Sequence, residues 1–64
     1  MNLTLEEIIE RVHQLNSDLD FYLERLKNTR LLSDISYYRL ILGFINEERE
    51  LLKDLAQKKF NYII

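Results

Sequence analysis

Residues 5–26 read LEEIIERVHQLNSDLDFYLERL and place an apolar side chain at every third or fourth position. The members of this seam are Leu5, Ile8, Val12, Leu15, Leu19, Tyr22 and Leu26. Alternating steps of three and four keep these side chains on one face of an α-helix, with the spacing of a heptad repeat. The opposite face is mostly polar, so the stretch predicts a helix that is apolar on one side only.

The start of this first helix is predicted at Thr4. Thr4 and Glu7 have the spacing of a capping box, in which each side chain accepts a hydrogen bond from the other residue's backbone amide. Leu3 and Ile8 are placed to form the apolar contact that often accompanies such a cap. We expect helix 1 to cover about residues 5–29.

A second helix is predicted from about residue 34 to residue 59. Ser33 and Asp34 are both N-cap candidates, which places the turn within about residues 29–34. Residues 60–64 read FNYII and form an apolar C-terminal tail that we expect to fray or to dock on a neighbour. The apolar positions predicted to face helix 1 are Tyr37, Tyr38, Ile41, Phe44, Ile45, Leu51, Leu52 and Leu55.

Composition supports a single, mostly helical domain over residues 1–64. The chain contains one glycine and no proline, so residues that break helices are almost absent. It has no cysteine and one histidine, which excludes disulfides and thiolate metal sites and disfavours a conventional zinc site. A chain of 64 residues usually needs exceptional packing or a partner chain to fold stably.

Two helices of about 25 residues joined by a short turn must pack antiparallel. The predicted fold is therefore all-α, an antiparallel two-helix hairpin. A hairpin leaves half of each apolar stripe in water, and two hairpins that pair about a twofold axis into a four-helix bundle would cover it. We expect a homodimer of this kind. Completion by a different protein, a lone hairpin and a third helix are the alternatives.

The run YYRLILGFI at residues 37–45 is the predicted interface. Leu40 and Leu42 widen the apolar arc of helix 2 to about 200°, which is more than one partner helix can cover. Phe21 lies far from the helix 1 seam, and it is either a surface aromatic residue or a contact point for a partner. The predicted interface residues are Tyr37, Tyr38, Leu40, Ile41, Leu42, Phe44 and Ile45.

Two polar residues are expected to lie between the helices. A turn centred near residue 32 places Asn16 opposite Glu48, and it also places Leu26 beside Tyr38. A carboxylate buried between two helices needs a partner, which could be Asn16, Arg11 or a residue of a second chain. We interpret Asn16 and Glu48 as a buried polar layer that fixes the helix register. The alternative is that Glu48 is a binding or catalytic carboxylate.

Several classes of function are disfavoured. Glu10 and His13 have the E-x-x-H spacing of di-iron centres in helical bundles, but both fall on the polar face, so neither a metal nor another cofactor is expected. Two helices offer no paired nucleophile and base and no room for a large pocket, so we expect no enzymatic activity and no small-molecule substrate. No apolar stretch is long enough to span a membrane, and the acidic N-terminal segment is unlike a secretory leader. The expected location is the cytoplasm.

The predicted function is a small non-catalytic protein–protein interaction module, such as a regulator, inhibitor, adaptor or assembly chaperone, that acts through apolar helix faces. The alternative is a nucleic-acid-binding hairpin dimer that uses the basic cluster Arg25, Lys27 and Arg30 near the turn. A net charge of −2 and acids interleaved on both helices disfavour this alternative. Small size and a composition rich in Asn, Ile and Lys favour a bacterial or phage origin.

Overall fold

The computed structural model describes residues 3–64, which form two antiparallel helices. Helix α1 comprises Leu5–Asn28 and helix α2 comprises Leu32–Phe60. The longest dimension is 43 Å, the length expected of the 29-residue α2 at about 1.5 Å per residue. The predicted all-α hairpin is therefore confirmed. Residues 1 and 2 of the predicted domain lie outside the described part of the chain.

The N-terminal cap of α1 has the predicted geometry. The Thr4 backbone amide donates to Glu7 Oε1 at 3.0 Å, and the Glu7 amide donates to Thr4 Oγ1 at 3.2 Å. Leu3 packs against the core cluster that contains Ile8. The sequence at the start of α1 thus satisfies two backbone amides that would otherwise lack a partner.

Helix α2 begins two residues earlier than predicted. Its N-cap is Leu31, which has extended backbone angles and makes no side-chain capping bond. The assignment of Ser33 and Asp34 as N-caps is wrong, because both lie inside the first turn of α2. Asp34 is still favourable there, since negative charge interacts well with the positive end of the helix dipole. The connection consists of residues 29–31 alone. It can be this short because Thr29 and Leu31 both have extended backbone angles.

The fully buried side chains lie at the open end of the hairpin, away from the turn. Ile8 and Val12 of α1 form a cluster with Ala56 of α2. Leu15 is also buried. The partly buried residues around this cluster are Leu3, Leu5, Leu52, Leu55 and Ile64. The buried residues of α1 are all members of the predicted seam, whereas Ala56 was absent from the predicted face of α2.

The C-terminal tail turns back onto this core. Asn61 adopts left-handed backbone angles (φ 52°, ψ 40°), which asparagine tolerates better than most residues. Its amide donates to the Gln57 carbonyl at 3.0 Å, and the Tyr62 amide donates to the Ala56 carbonyl at 3.2 Å. The reversal brings Ile64 against the core cluster. Over residues 3–64, neither helix combines the length and the apolar character needed to cross a bilayer.

Candidate interaction surface

Helix α2 carries a row of exposed apolar side chains on the side turned away from α1. Tyr37, Leu40, Phe44 and Leu51 are exposed by 59, 59, 62 and 65% of their surface. Their spacing of three, four and seven residues aligns them along one face of the helix. We call these four residues the outer stripe. Because contact between large apolar groups and water is unfavourable, the outer stripe is the leading candidate for an interaction surface.

The outer stripe corrects part of the sequence interpretation. Tyr37, Phe44 and Leu51 were placed on the face of α2 that meets α1, and this assignment is wrong because all three are exposed. The half-buried residues of the same region are Tyr38, Ile41, Leu42 and Ile45. Each residue advances by about 100° around the helix axis, which places Tyr37 and Phe44 some 100° or more around the helix from Tyr38 and Ala56. Of the two leucines predicted to spill over the edges of the seam, only Leu40 is exposed.

The middle of the hairpin is held by two polar contacts between the helices. Arg11 Nε donates to Glu48 Oε2 at 2.8 Å. Arg49 Nη1 donates to Asn16 Oδ1 at 2.9 Å. Glu48 therefore pairs with Arg11, one of its three expected partners, while Asn16 pairs with a residue that the sequence pattern did not single out. In the single chain the predicted layer is only partly buried, with the Glu48 side chain 46% exposed.

The Arg49 side chain is less exposed than those of Arg11 and Glu48. It is 22% exposed, and a second guanidinium nitrogen donates to Asn46 Oδ1 at 3.3 Å. Its Nε is buried and meets no hydrogen-bond acceptor among residues 3–64. A signal for this position was present in the sequence. Tyr38, Leu42, Ile45, Arg49, Leu52 and Ala56 follow one another at steps of four and three, with Arg49 as the single charged member.

Four aromatic rings cross the hairpin near the turn, and we call them the aromatic row. The ring centroids of Phe21 and Tyr22 are 5.1 Å apart with an edge-to-face geometry. Tyr22 contacts Tyr38 at 6.0 Å, and Tyr38 contacts Tyr37 at 5.7 Å. The row ends at Phe21, which is 52% exposed, and at Tyr37, which belongs to the outer stripe. Phe21 is therefore continuous with the outer stripe through ring contacts rather than an isolated surface residue.

The basic cluster lies beside the aromatic row. The Arg25 guanidinium carbon is 5.1 Å from the centre of the Phe21 ring, within the range of a cation–π contact. Arg25 and Lys27 occupy the last turn of α1, where positive charge is favoured by the helix dipole. Arg30 lies in the connection between the helices. All three side chains are exposed.

An open groove of about 670 Å³ lies on the open half of the hairpin. It is lined by Leu3, Glu7, Glu10, Arg11, Gln14, Glu48 and Leu52. Three of its charged side chains already have partners within the chain. Arg11 pairs with Glu48, and Glu7 belongs to the capping box. The hydrogen bonds from the backbone amide and the side chain of Thr4 hold the pKa of Glu7 below its ordinary value.

The E-x-x-H pair lies on the solvent side of α1. Glu10 and His13 are both exposed. In the described part of the chain, no group of three or more His, Cys, Asp or Glu side chains is arranged to hold a metal ion. A di-iron centre requires such groups to point into a bundle core, and these two residues do not face α2.

The fold and its surface thus define a helical hairpin with an uncovered apolar face on its second helix. Comparison of the chain with protein-family models, curated proteins and solved structures finds no match. The function is therefore inferred from the outer stripe, the aromatic row and the contacts between the helices.

Proposed function

We propose that this chain is a small non-catalytic protein–protein interaction module that acts through the outer stripe and self-associates into a homodimeric four-helix bundle. The observation that carries this proposal is the exposure of Tyr37, Leu40, Phe44 and Leu51, each by more than half of its surface. These are the residue types that dominate interface energetics when they become buried.

The small core of the hairpin supports the same proposal. The buried apolar side chains among residues 3–64 are Ile8, Val12, Leu15 and Ala56. A large apolar side chain stabilises a fold by about 1.5–3 kcal/mol when it is buried. Covering the four residues of the outer stripe would bury an apolar set as large as the core itself. A second chain therefore supplies the additional stabilisation that domains of this size usually need.

The roles consistent with this module require binding alone, as in a regulator, inhibitor, adaptor or assembly chaperone. A homodimer that uses the outer stripe leaves the Phe21 end of the aromatic row on α1. Phe21 and Arg25 then form a compact aromatic and cationic contact point for a heterologous protein. Aromatic and arginine side chains are enriched among the residues that contribute most to protein–protein binding.

Nucleic-acid binding by Arg25, Lys27 and Arg30 is the weaker candidate. The guanidinium of Arg25 lies over Phe21, and the chain carries a net charge of −2. Nucleic-acid binding depends on neutralising several phosphates and normally needs a basic face. A salt-dependent gel shift with generic DNA and RNA would favour this alternative over the interaction module.

Sedimentation equilibrium tests the proposal. We expect the wild-type chain to sediment with twice the mass of one chain and Phe44→Ser to shift toward the monomer. Leu32→Ser is the matched control, because Leu32 is 81% exposed but lies outside the outer stripe, and this variant should remain dimeric. A wild-type chain that melts cooperatively as a strict monomer would rule out self-association.

A further inference from the structure

We infer that the outer stripe pairs with the outer stripe of a second copy in antiparallel orientation, with the twofold axis passing beside Phe44. This inference rests on the proposed function, because it assigns the orientation and register of the homodimer. It goes further by naming which residues of the two copies meet.

Two members of the outer stripe, Tyr37 and Leu51, are placed symmetrically about a third, Phe44. Tyr37 lies seven residues before Phe44 and Leu51 lies seven residues after it. A twofold interface brings the same patch of both subunits together, so the patch must be complementary to itself. An antiparallel pair centred on Phe44 places the two Phe44 rings together. It also places Tyr37 of each copy opposite Leu51 of the other.

Charge distinguishes this arrangement from a parallel one. Glu47 and Glu48 lie between Phe44 and Leu51 on α2. A parallel pair in register would place each of these carboxylates beside its own copy, and like charges at that distance repel. In the antiparallel pair the two copies of Glu47 are separated by about 9 Å along the helix axis, because each lies three residues from the twofold. Leu40 of one copy then faces residue 48 of the other, whose carboxylate is already paired with Arg11.

The area of the outer stripe suits a second copy of equal size. At their observed exposure, side chains of this size present on the order of 100–150 Å² each. Two stripes together would cover roughly 1,000 Å², close to the lower limit of about 1,200 Å² for stable, specific interfaces. Neighbouring stems such as that of Glu47 supply the remainder. A larger partner surface is not needed to cover the stripe.

Register-specific disulfides test this inference, and the absence of cysteine from the chain makes the experiment clean. Tyr37→Cys and Leu51→Cys would be prepared separately and then mixed in equal amounts in a glutathione redox buffer. Products would be identified by intact mass. We expect the heterodisulfide between the two variants, which joins position 37 of one chain to position 51 of the other, to be several-fold more abundant than either self-disulfide. Two copies of residue 51 would lie about 21 Å apart along the helix, beyond the ~7 Å Cα separation that a disulfide can bridge.

Ser17→Cys is the matched control for random collision, because Ser17 is exposed on α1 outside the outer stripe. Phe44→Cys should form a self-disulfide, since residue 44 lies at the twofold. Self-disulfides of Tyr37→Cys and Leu51→Cys at the level of the heterodisulfide would overturn the antiparallel register. A wild-type dimer in sedimentation that gives only the collision level of every disulfide would overturn it as well, while leaving the proposed self-association intact. A strict wild-type monomer would overturn both.

Discussion

The Arg49 guanidinium donates to the side-chain oxygen of Asn16 at 2.9 Å, and this hydrogen bond ties α2 to α1 between the aliphatic core and the aromatic row. The same guanidinium keeps a buried Nε that has no acceptor among the described residues. Glu50 Oε1 lies 3.8 Å from Nη2 of the same group, a long ion pair. Partial burial of a cation costs desolvation energy that such contacts only partly offset. We therefore expect the contact to contribute more to the register of the helices than to their stability.

This balance predicts opposite effects for the two partners. Arg49→Met keeps the length and apolar stem of the side chain, and we expect its free energy of unfolding to be unchanged or about 1 kcal/mol higher than that of the wild type. Asn16→Ala leaves the guanidinium without its cross-helix acceptor and should cost about 1–3 kcal/mol. Urea unfolding followed by far-ultraviolet circular dichroism at fixed protein concentration measures both.

The exposed ion pair of Arg11 and Glu48 supplies the control for Arg49. Both of its side chains are about half exposed, so Arg11→Met should change the free energy of unfolding by less than about 1 kcal/mol. A loss in Arg49→Met clearly greater than the loss in Arg11→Met would show that the Arg49 contacts outweigh their desolvation cost, contrary to this prediction.

The capping box makes helix stability depend on pH in a defined direction. The Thr4 hydrogen bonds lower the pKa of Glu7 in the folded chain, so the folded state favours the ionised carboxylate. Its stabilising contribution is complete above the ordinary pKa of a glutamate, about 4.3, and is lost as the pH falls through the lower folded value. We expect wild-type helicity near the N-terminus to decline over that acidic range.

Glu7→Gln isolates this effect, because glutamine can still accept the Thr4 amide bond but does not titrate there. The difference in urea midpoint between wild type and Glu7→Gln should shrink between pH 6 and pH 3, while other carboxylates titrate equally in both proteins. A difference that stays constant with pH would mean that Glu7 contributes no ionised cap. Thr4→Ala removes the side-chain acceptor and should cost about 1 kcal/mol at neutral pH.

The sequence predicted α1 well because it carries one apolar seam against a polar face, and only one side of the helix can then be buried. Helix α2 carries two seams offset by one residue, one through Tyr38 and Ala56 and one through Tyr37 and Leu51. Each is mostly apolar and each contains one charged residue, so periodicity cannot decide which of them faces α1. The decision comes from packing, since Ala56 forms a cluster with Ile8 and Val12.

The remaining differences concern the turn and the partners across the hairpin. The predicted turn of residues 29–34 is centred near residue 32, whereas the connection uses residues 29–31. The shorter connection does not move every partner along α1, because Ala56 still packs on Ile8 and Arg49 bonds Asn16, both close to the predicted register. The ring of Tyr38 contacts that of Tyr22, and Glu48 pairs with Arg11, whereas Asn16, the residue expected opposite Glu48, accepts a hydrogen bond from Arg49. Which residues of the run YYRLILGFI are free to form an interface depends on which seam of α2 faces α1. Because the seam through Tyr38 faces α1, the apolar residues Tyr37, Leu40 and Phe44 stay exposed and belong to the outer stripe.

Ala56 should tolerate no larger side chain. It is fully buried against Ile8 and Val12, so the additional methyl and methylene groups of Ala56→Leu would have to displace neighbouring side chains. Overpacking of this kind typically costs about 1–3 kcal/mol. Gln57→Leu is the matched control, because the adjacent Gln57 is exposed, and it should leave the thermal midpoint nearly unchanged. Equal midpoints for the two leucine variants would argue that α2 does not pack on α1 through Ala56.

Gly43 offers a site where stability should rise. It lies within α2, its φ is negative, and a Cβ built at this position meets no atom within 4 Å. Glycine inside a helix is less favourable than alanine by about 1 kcal/mol, chiefly because the unfolded chain has more conformational freedom. Gly43→Ala should therefore raise the free energy of unfolding by about 0.5–1 kcal/mol in urea titrations. Ser36→Ala, on the same exposed side of α2, should give a smaller gain.

A loss of stability in Gly43→Ala that disappears on dilution to the monomer would place the second copy in contact with residue 43, since nothing in the hairpin itself occupies that space.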